Sequence, residues 1–134
     1  MSEYTMRVET PLAFEDAVTR VRTALAAQGF GVLTEIDVRA TLEEKLGVRV
    51  PRQVILGACR PQLAHRALEA APSIAAFLPC NVTVRESAGD GVTIEAVDPA
   101  AMTLLETGPA IAEVATEARA RLRAALDTVV LQEA

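Results

Sequence analysis

The chain has two cysteines and one histidine. They stand in Gly57-Ala58-Cys59-Arg60-Pro61, in Leu78-Pro79-Cys80-Asn81-Val82 and at His65. Two thiolates and an imidazole suit a soft metal such as Zn or Cu, although the spacing of Cys59, His65 and Cys80 matches no standard zinc motif. A thiol pair can instead close a reversible disulfide or sense oxidants. A third chemistry makes Cys59 a nucleophile, and so the candidate catalytic residue, with His65 as its base. Against all three stands a plain alternative: free cysteine is among the most buried residue types, and both thiols then serve as small hydrophobes.

Position strengthens Cys59. It ends an apolar run, and Pro61 opens a helix just after it, so the positive end of a helix dipole lies close by and favours a thiolate. Arg60 adds a full positive charge. His65 falls one to two turns into that helix. Cys80 begins the next strand. Whether the two sulfurs share one end of a sheet depends on the direction of the connection between the strands, which local pattern leaves open. Weaker candidates flank these groups. Glu35, near Thr34 and Asp37, offers a carboxylate for acid–base or ligand contact, or simply faces solvent beside a capping Asp37. Asn81 can orient a ligand beside Cys80, or satisfy backbone at a strand start. Arg119, Arg121 and Arg123 suit a solvated helix face or the rim of a dimer.

The elements that must carry these residues follow from periodicity. Residues 4–9 alternate as a half-buried strand. Thr10-Pro11 predicts a helix start, and Phe14, Val18, Val21 and Leu25 form one apolar stripe closed by Gly29. Residues 30–36 predict a second strand. Asp37 caps a short helix bearing Val38, Leu42 and Leu46 and ended by Gly47. The run 53–59 lacks alternation and predicts a central strand covered on both faces. Pro61 starts a helix with Leu63, Ala64, Ala67 and Leu68 buried, and Pro72 breaks it. Residues 80–87 and 92–97 alternate around Ala88-Gly89-Asp90-Gly91, a hairpin signal. A helical turn over 99–106 and a long helix from about Pro109 complete the chain. The expected fold is α+β: a mixed sheet of about five strands packed by helices, in a single compact domain spanning residues 1–134. A Gly-rich turn after the first strand, which a dinucleotide fold requires, is missing.

Composition removes whole classes of partner. Half of the 134 residues are hydrophobic and only 3% are aromatic, with no Trp. So few rings argue against stacking on single-stranded nucleic acid, and a net charge of −5 argues against duplex binding. The sequence holds no apolar run long enough for a membrane span and no visible signal peptide. The expected location is the cytoplasm, where cysteines remain thiols.

One resemblance covers nearly the whole chain. Gly29-Phe30-Gly31-Val32-Leu33-Thr34-Glu35-Ile36-Asp37-Val38, Ala40-Thr41-Leu42, Lys45-Leu46-Gly47, Ile55-Leu56-Gly57-Ala58-Cys59, Leu63-Ala64-His65-Arg66-Ala67-Leu68 and Leu78-Pro79-Cys80-Asn81-Val82 are similar, in order and spacing, to the DUF302 family. The resemblance implies a small bacterial or archaeal α+β domain that tends to form homodimers; it implies no activity and names no cofactor. Many relatives carry Asn where Arg60 stands, which makes Arg60 less representative of the family than its neighbours. Three functions remain open on these grounds. The first is a homodimeric domain binding a small ligand or soft metal near Cys59, Cys80 and His65, with Glu35 and Asn81 as further ligand contacts. The second is a thiol-dependent enzyme or redox protein using Cys59. The third is a structural or partner-binding module without a ligand.

Overall fold

The computed structural model describes residues 4–87, 89 and 91–131. The chain runs β1 (Thr5–Thr10), α1 (Phe14–Ala27), β2 (Gly31–Asp37), α2 (Val38–Leu46), β3 (Gln53–Cys59), α3 (Pro61–Ala70), a 3-10 segment (Pro72–Phe77), β4 (Cys80–Glu86), β5 (Val92–Val97), a second 3-10 turn (Pro99–Ala101), α4 (Met102–Leu105) and α5 (Pro109–Leu131). The five strands form one sheet in the order β1-β5-β4-β3-β2. The α+β class is as expected, but the sheet is antiparallel throughout, not mixed. Each helical connection between neighbouring strands here brings the chain back along the strand it has just left, where a parallel pair would need a crossover to the opposite end.

Local signals explain most boundaries. The Asp37 side chain accepts a hydrogen bond from the Ala40 amide at 2.9 Å, and Gly47 closes α2 in the left-handed conformation at φ 68°. Pro61 occupies the first turn of α3. β4 and β5 form the expected hairpin, with Glu86 opposite Val92, although Ala88 and Asp90 of its turn lie outside the described residues. Thr10 differs from expectation. It ends β1, and its hydroxyl accepts from the Leu12 amide at 3.2 Å, so α1 begins only at Phe14.

Strand alternation gives the sheet two unlike faces. Met6, Val54, Leu56, Val82, Val84, Ile94 and Ala96 are buried in register on one face. They belong to one apolar cluster with Ala17, Val21, Ala24 and Leu25 of α1 and Leu122, Ala125, Leu126 and Val129 of α5. The other face carries Thr34, Ile36, Ile55, Thr83, Arg85, Glu95 and Arg7, so β3 is an interior strand with only one face in this cluster. On that face the Thr5 hydroxyl donates to Glu95 at 2.7 Å, and Arg85 pairs with the same carboxylate. The Thr5 bond, with the charges of Arg85 and Arg7, holds the Glu95 carboxyl below its ordinary range against the opposing effect of burial. At Gly57 the strands admit no side chain: a Cβ there would stand 2.2 Å from Thr34 Oγ1 and 2.8 Å from Pro79 Cγ.

A second apolar cluster lies beside the first. Leu63 and Ala67 of α3, Ala71, Ile74, Met102, and Ile111, Val114, Ala115 and Ala118 of α5 form it. The long helix α5 therefore belongs to both clusters, its first half to the smaller and its second half to the larger.

Candidate functional site

The antiparallel pairing of β3 with β4 decides where the thiols sit. Cys59 is the last residue of β3 and Cys80 the first of β4, with Ala58 directly opposite Cys80. Both sulfurs therefore belong to the same end of the sheet, and both are free thiols, half-buried. Burial, and to a lesser degree the neighbouring Cys59, push the Cys80 thiol up to about 11. The Cys80 thiol is thus held in its neutral form to higher pH than an ordinary thiol.

The two cysteines line a cavity of about 290 Å³ at the seam between the two apolar clusters. Phe30, Ala58 and Cys80 form its wall on the sheet side; Leu63, Ala67, Leu68, Met102, Val114 and Ala118 form it on the helix side. Leu33 stands at its opening, 66% exposed. The pairing of β2 with β3 shifts register between Val32 and Thr34, leaving Leu33 without a partner, and such an irregularity re-aims a side chain. Five alanines contribute to the lining: Ala58, Ala64, Ala67, Ala75 and Ala118. Short side chains converging from β3, α3, the 3-10 segment and α5 leave space that larger residues would close.

Among the described residues of this lining, Arg60 is the one that carries a charge. Its Nε donates to the Gln28 carbonyl at 3.3 Å, and its Nη1 lies 3.5 Å from Glu117 Oε2. The guanidinium thus spans from the end of α1 to α5, and its partners are Gln28 and Glu117.

The other expected site residues lie elsewhere. His65 is exposed on α3, with Nε2 3.7 Å from Glu69 Oε1 one turn on; no hydrogen bond joins it to Cys59. Among the described residues, the lining of the cavity that holds the two thiols does not include His65. Among the described residues no group of three or more His, Cys, Asp or Glu side chains is disposed to hold a metal ion. The expected set Cys59, Cys80 and His65 is not assembled, because the helical phase that buries Leu63 and Ala67 turns His65 outward. Glu35 pairs with Arg22 of α1. Asn81 is exposed and borders the polar face of the sheet with Thr83, Arg85 and Glu95. Neither lines the cavity. What spacing alone missed was the set of alanines and leucines around the thiols; their one advance signal was the paucity of aromatic residues.

The family model described as "Domain of unknown function DUF302" matches residues 4–129. The chain belongs to the DUF302 family. A crystal structure of an uncharacterised conserved DUF302 protein from Bacillus stearothermophilus superposes with a TM-score of 0.86 at 30% identity, covering 95% of this chain and 98% of that one. No curated protein matches. In this DUF302 chain the antiparallel sheet carries the seam cavity at the end where both thiols sit. Among the described residues of this DUF302 chain, no helix is long and apolar enough to cross a membrane.

Proposed function

We propose that this protein binds a small, largely apolar molecule in the cavity beside Cys59 and Cys80. One observation carries the reading: a concavity of about 290 Å³ whose lining is aliphatic, aromatic or thiol except for Arg60. Small-molecule sites are typically concave, mostly apolar and furnished with few polar groups, and this volume stands at the lower end of their range, about 300 Å³. The cysteines contribute as soft apolar wall, in keeping with the elevated Cys80 pKa and with a cytoplasmic setting that keeps thiols reduced.

A neutral fluorophore that brightens in apolar surroundings, N-phenyl-1-naphthylamine, tests this directly. The wild-type chain is expected to bind it saturably. Ala64 is half-buried on α3 and lines the cavity, so Ala64→Phe fills the space without replacing a fully covered core residue. The variant is expected to lose at least about tenfold in probe affinity, roughly 1.4 kcal/mol. Equal binding by the two proteins, or none by the wild type, would sink the reading.

We infer further that two copies of the chain associate through the α2–β2 side. Two features support this. No residue of α2 is buried, and Ile36, Leu46 and Val48 are exposed apolar side chains near its two ends. β2 is also an edge strand, with backbone groups available for pairing. Sedimentation at micromolar concentration should show a dimer, and Leu46→Glu should shift it towards monomer. A wild-type chain that sediments only as monomer removes the inference.

A further inference from the structure

The described lining of the cavity is apolar except for Arg60, whose ion pairs are uneven. Arg60 has the least exposed arginine side chain in any of the ion pairs, at 17%. A guanidinium carries five N–H donors. Both contacts that Arg60 makes, at 3.3 and 3.5 Å, are longer than the 2.7–2.9 Å typical of a good charge-assisted bond. Its carboxylate partner is shared. Glu117 is also approached by Arg121 at 3.0 Å and by Arg66 at 3.9 Å, and Arg66 turns mainly to Glu113 at 3.0 Å. Three guanidiniums, those of Arg60, Arg66 and Arg121, thus share the two carboxylates of Glu113 and Glu117, an excess of positive charge in a chain whose net charge is −5, and of these five residues Arg60 lines the cavity.

We propose that the cavity's ligand is a small carboxylate-headed amphiphile, its hydrocarbon tail in the seam and its carboxylate on Arg60 in place of Glu117. The proposal rests on the apolar-cavity reading and adds the head group to it. Arg60 shares the cavity lining with Leu63, Ala64 and Cys59, so a tail lying against these three would have the guanidinium within the same cavity. A planar carboxylate matches the guanidinium fork better than one distant Glu117 oxygen does. A neutral head group would leave the surplus charge unanswered, and a cationic one would meet it with repulsion.

Calorimetric titration with octanoate, octanol and octyltrimethylammonium separates these cases. The wild type is expected to bind octanoate about tenfold more tightly than octanol and octyltrimethylammonium least, the preference a charge-assisted hydrogen bond gives. Arg60→Gln should bring octanoate down to the octanol level and leave octanol unchanged, whereas Arg60→Lys should keep a preference for the anion. Glu117→Gln should tighten octanoate several-fold, because it removes the competing carboxylate; a merely structural Glu117 would not act in that direction. Equal affinity for octanoate and octanol in the wild type overturns the head-group assignment while leaving the cavity intact. Failure of octanol and of the neutral fluorophore together overturns the cavity and the assignment with it.

Discussion

Leu56→Ala is expected to lower the unfolding free energy by about 3–4 kcal/mol and the melting midpoint by roughly 10–15 °C. Leu56 is fully buried, opposite Val82 on β4 and Glu35 on β2, and faces the larger cluster under α1 and α5. An interior strand held in register on both sides has little freedom to collapse onto the vacated volume. The cost therefore includes the cavity left behind as well as the lost transfer of the side chain. The total stability of a domain this size is on the order of 5–15 kcal/mol, so one such change consumes a large share. Urea unfolding followed by circular dichroism measures it, and a loss under about 1 kcal/mol would contradict the packing described. Leu56 does not line the seam cavity, so below the melting transition the variant should still bind the neutral fluorophore. That separation tests whether the site tolerates a loss of packing elsewhere in the larger cluster.

The elements were legible in the sequence because their signals are local. Asp37 and Gly47 bracket α2 by cap chemistry, and Pro61 marks the start of α3. What local signals cannot carry is the pairing of distant segments. Thr5 lies opposite Val97, and neither residue's neighbourhood encodes the other. The same limit hid the common location of the thiols, which follows only from β3 and β4 being antiparallel neighbours. Thr10 misled for a different reason: a Thr-Pro pair signals a helix start, but the strand pairing of Thr10 with Val92 holds it in β1.

His65 is instructive because its placement was legible after all. At about 100° per residue, it lies roughly 200° round the helix from Leu63. A stripe that buries Leu63 and Ala67 must turn His65 to solvent, whatever lies at the helix start. The cavity was the least legible feature. It arises where alanines from β3, α3, the 3-10 segment and α5 meet, and a shortage of bulk at a point in space leaves no trace in any one segment.

Cys80 should be alkylated about 100-fold more slowly than an unperturbed cysteine at pH 8. Its pKa is raised from 9.0 to about 11, and each unit removes tenfold from the thiolate that reacts. The main cause is burial, which disfavours the charged form; proximity to Cys59 adds to it. With iodoacetamide and peptide mapping, the Cys80 rate should still rise close to tenfold per pH unit between pH 8 and 10, where an ordinary thiol is already levelling off. Cys59→Ser should speed Cys80 only slightly, since burial persists. The same displacement couples to stability with a definite sign. Between about pH 9 and 11 the unfolded thiol loses its proton while the folded one keeps it, so the folded state binds more protons there. Stability from this group is therefore complete below pH 9 and declines as pH rises towards 11, by an amount on the order of 2 kcal/mol. A Cys80→Ala variant should show a flatter alkaline decline than the wild type. A Cys80 that reacts at the unfolded rate at pH 8 would mean that the thiol is not enclosed at the seam, and the apolar character of that wall would fail with it.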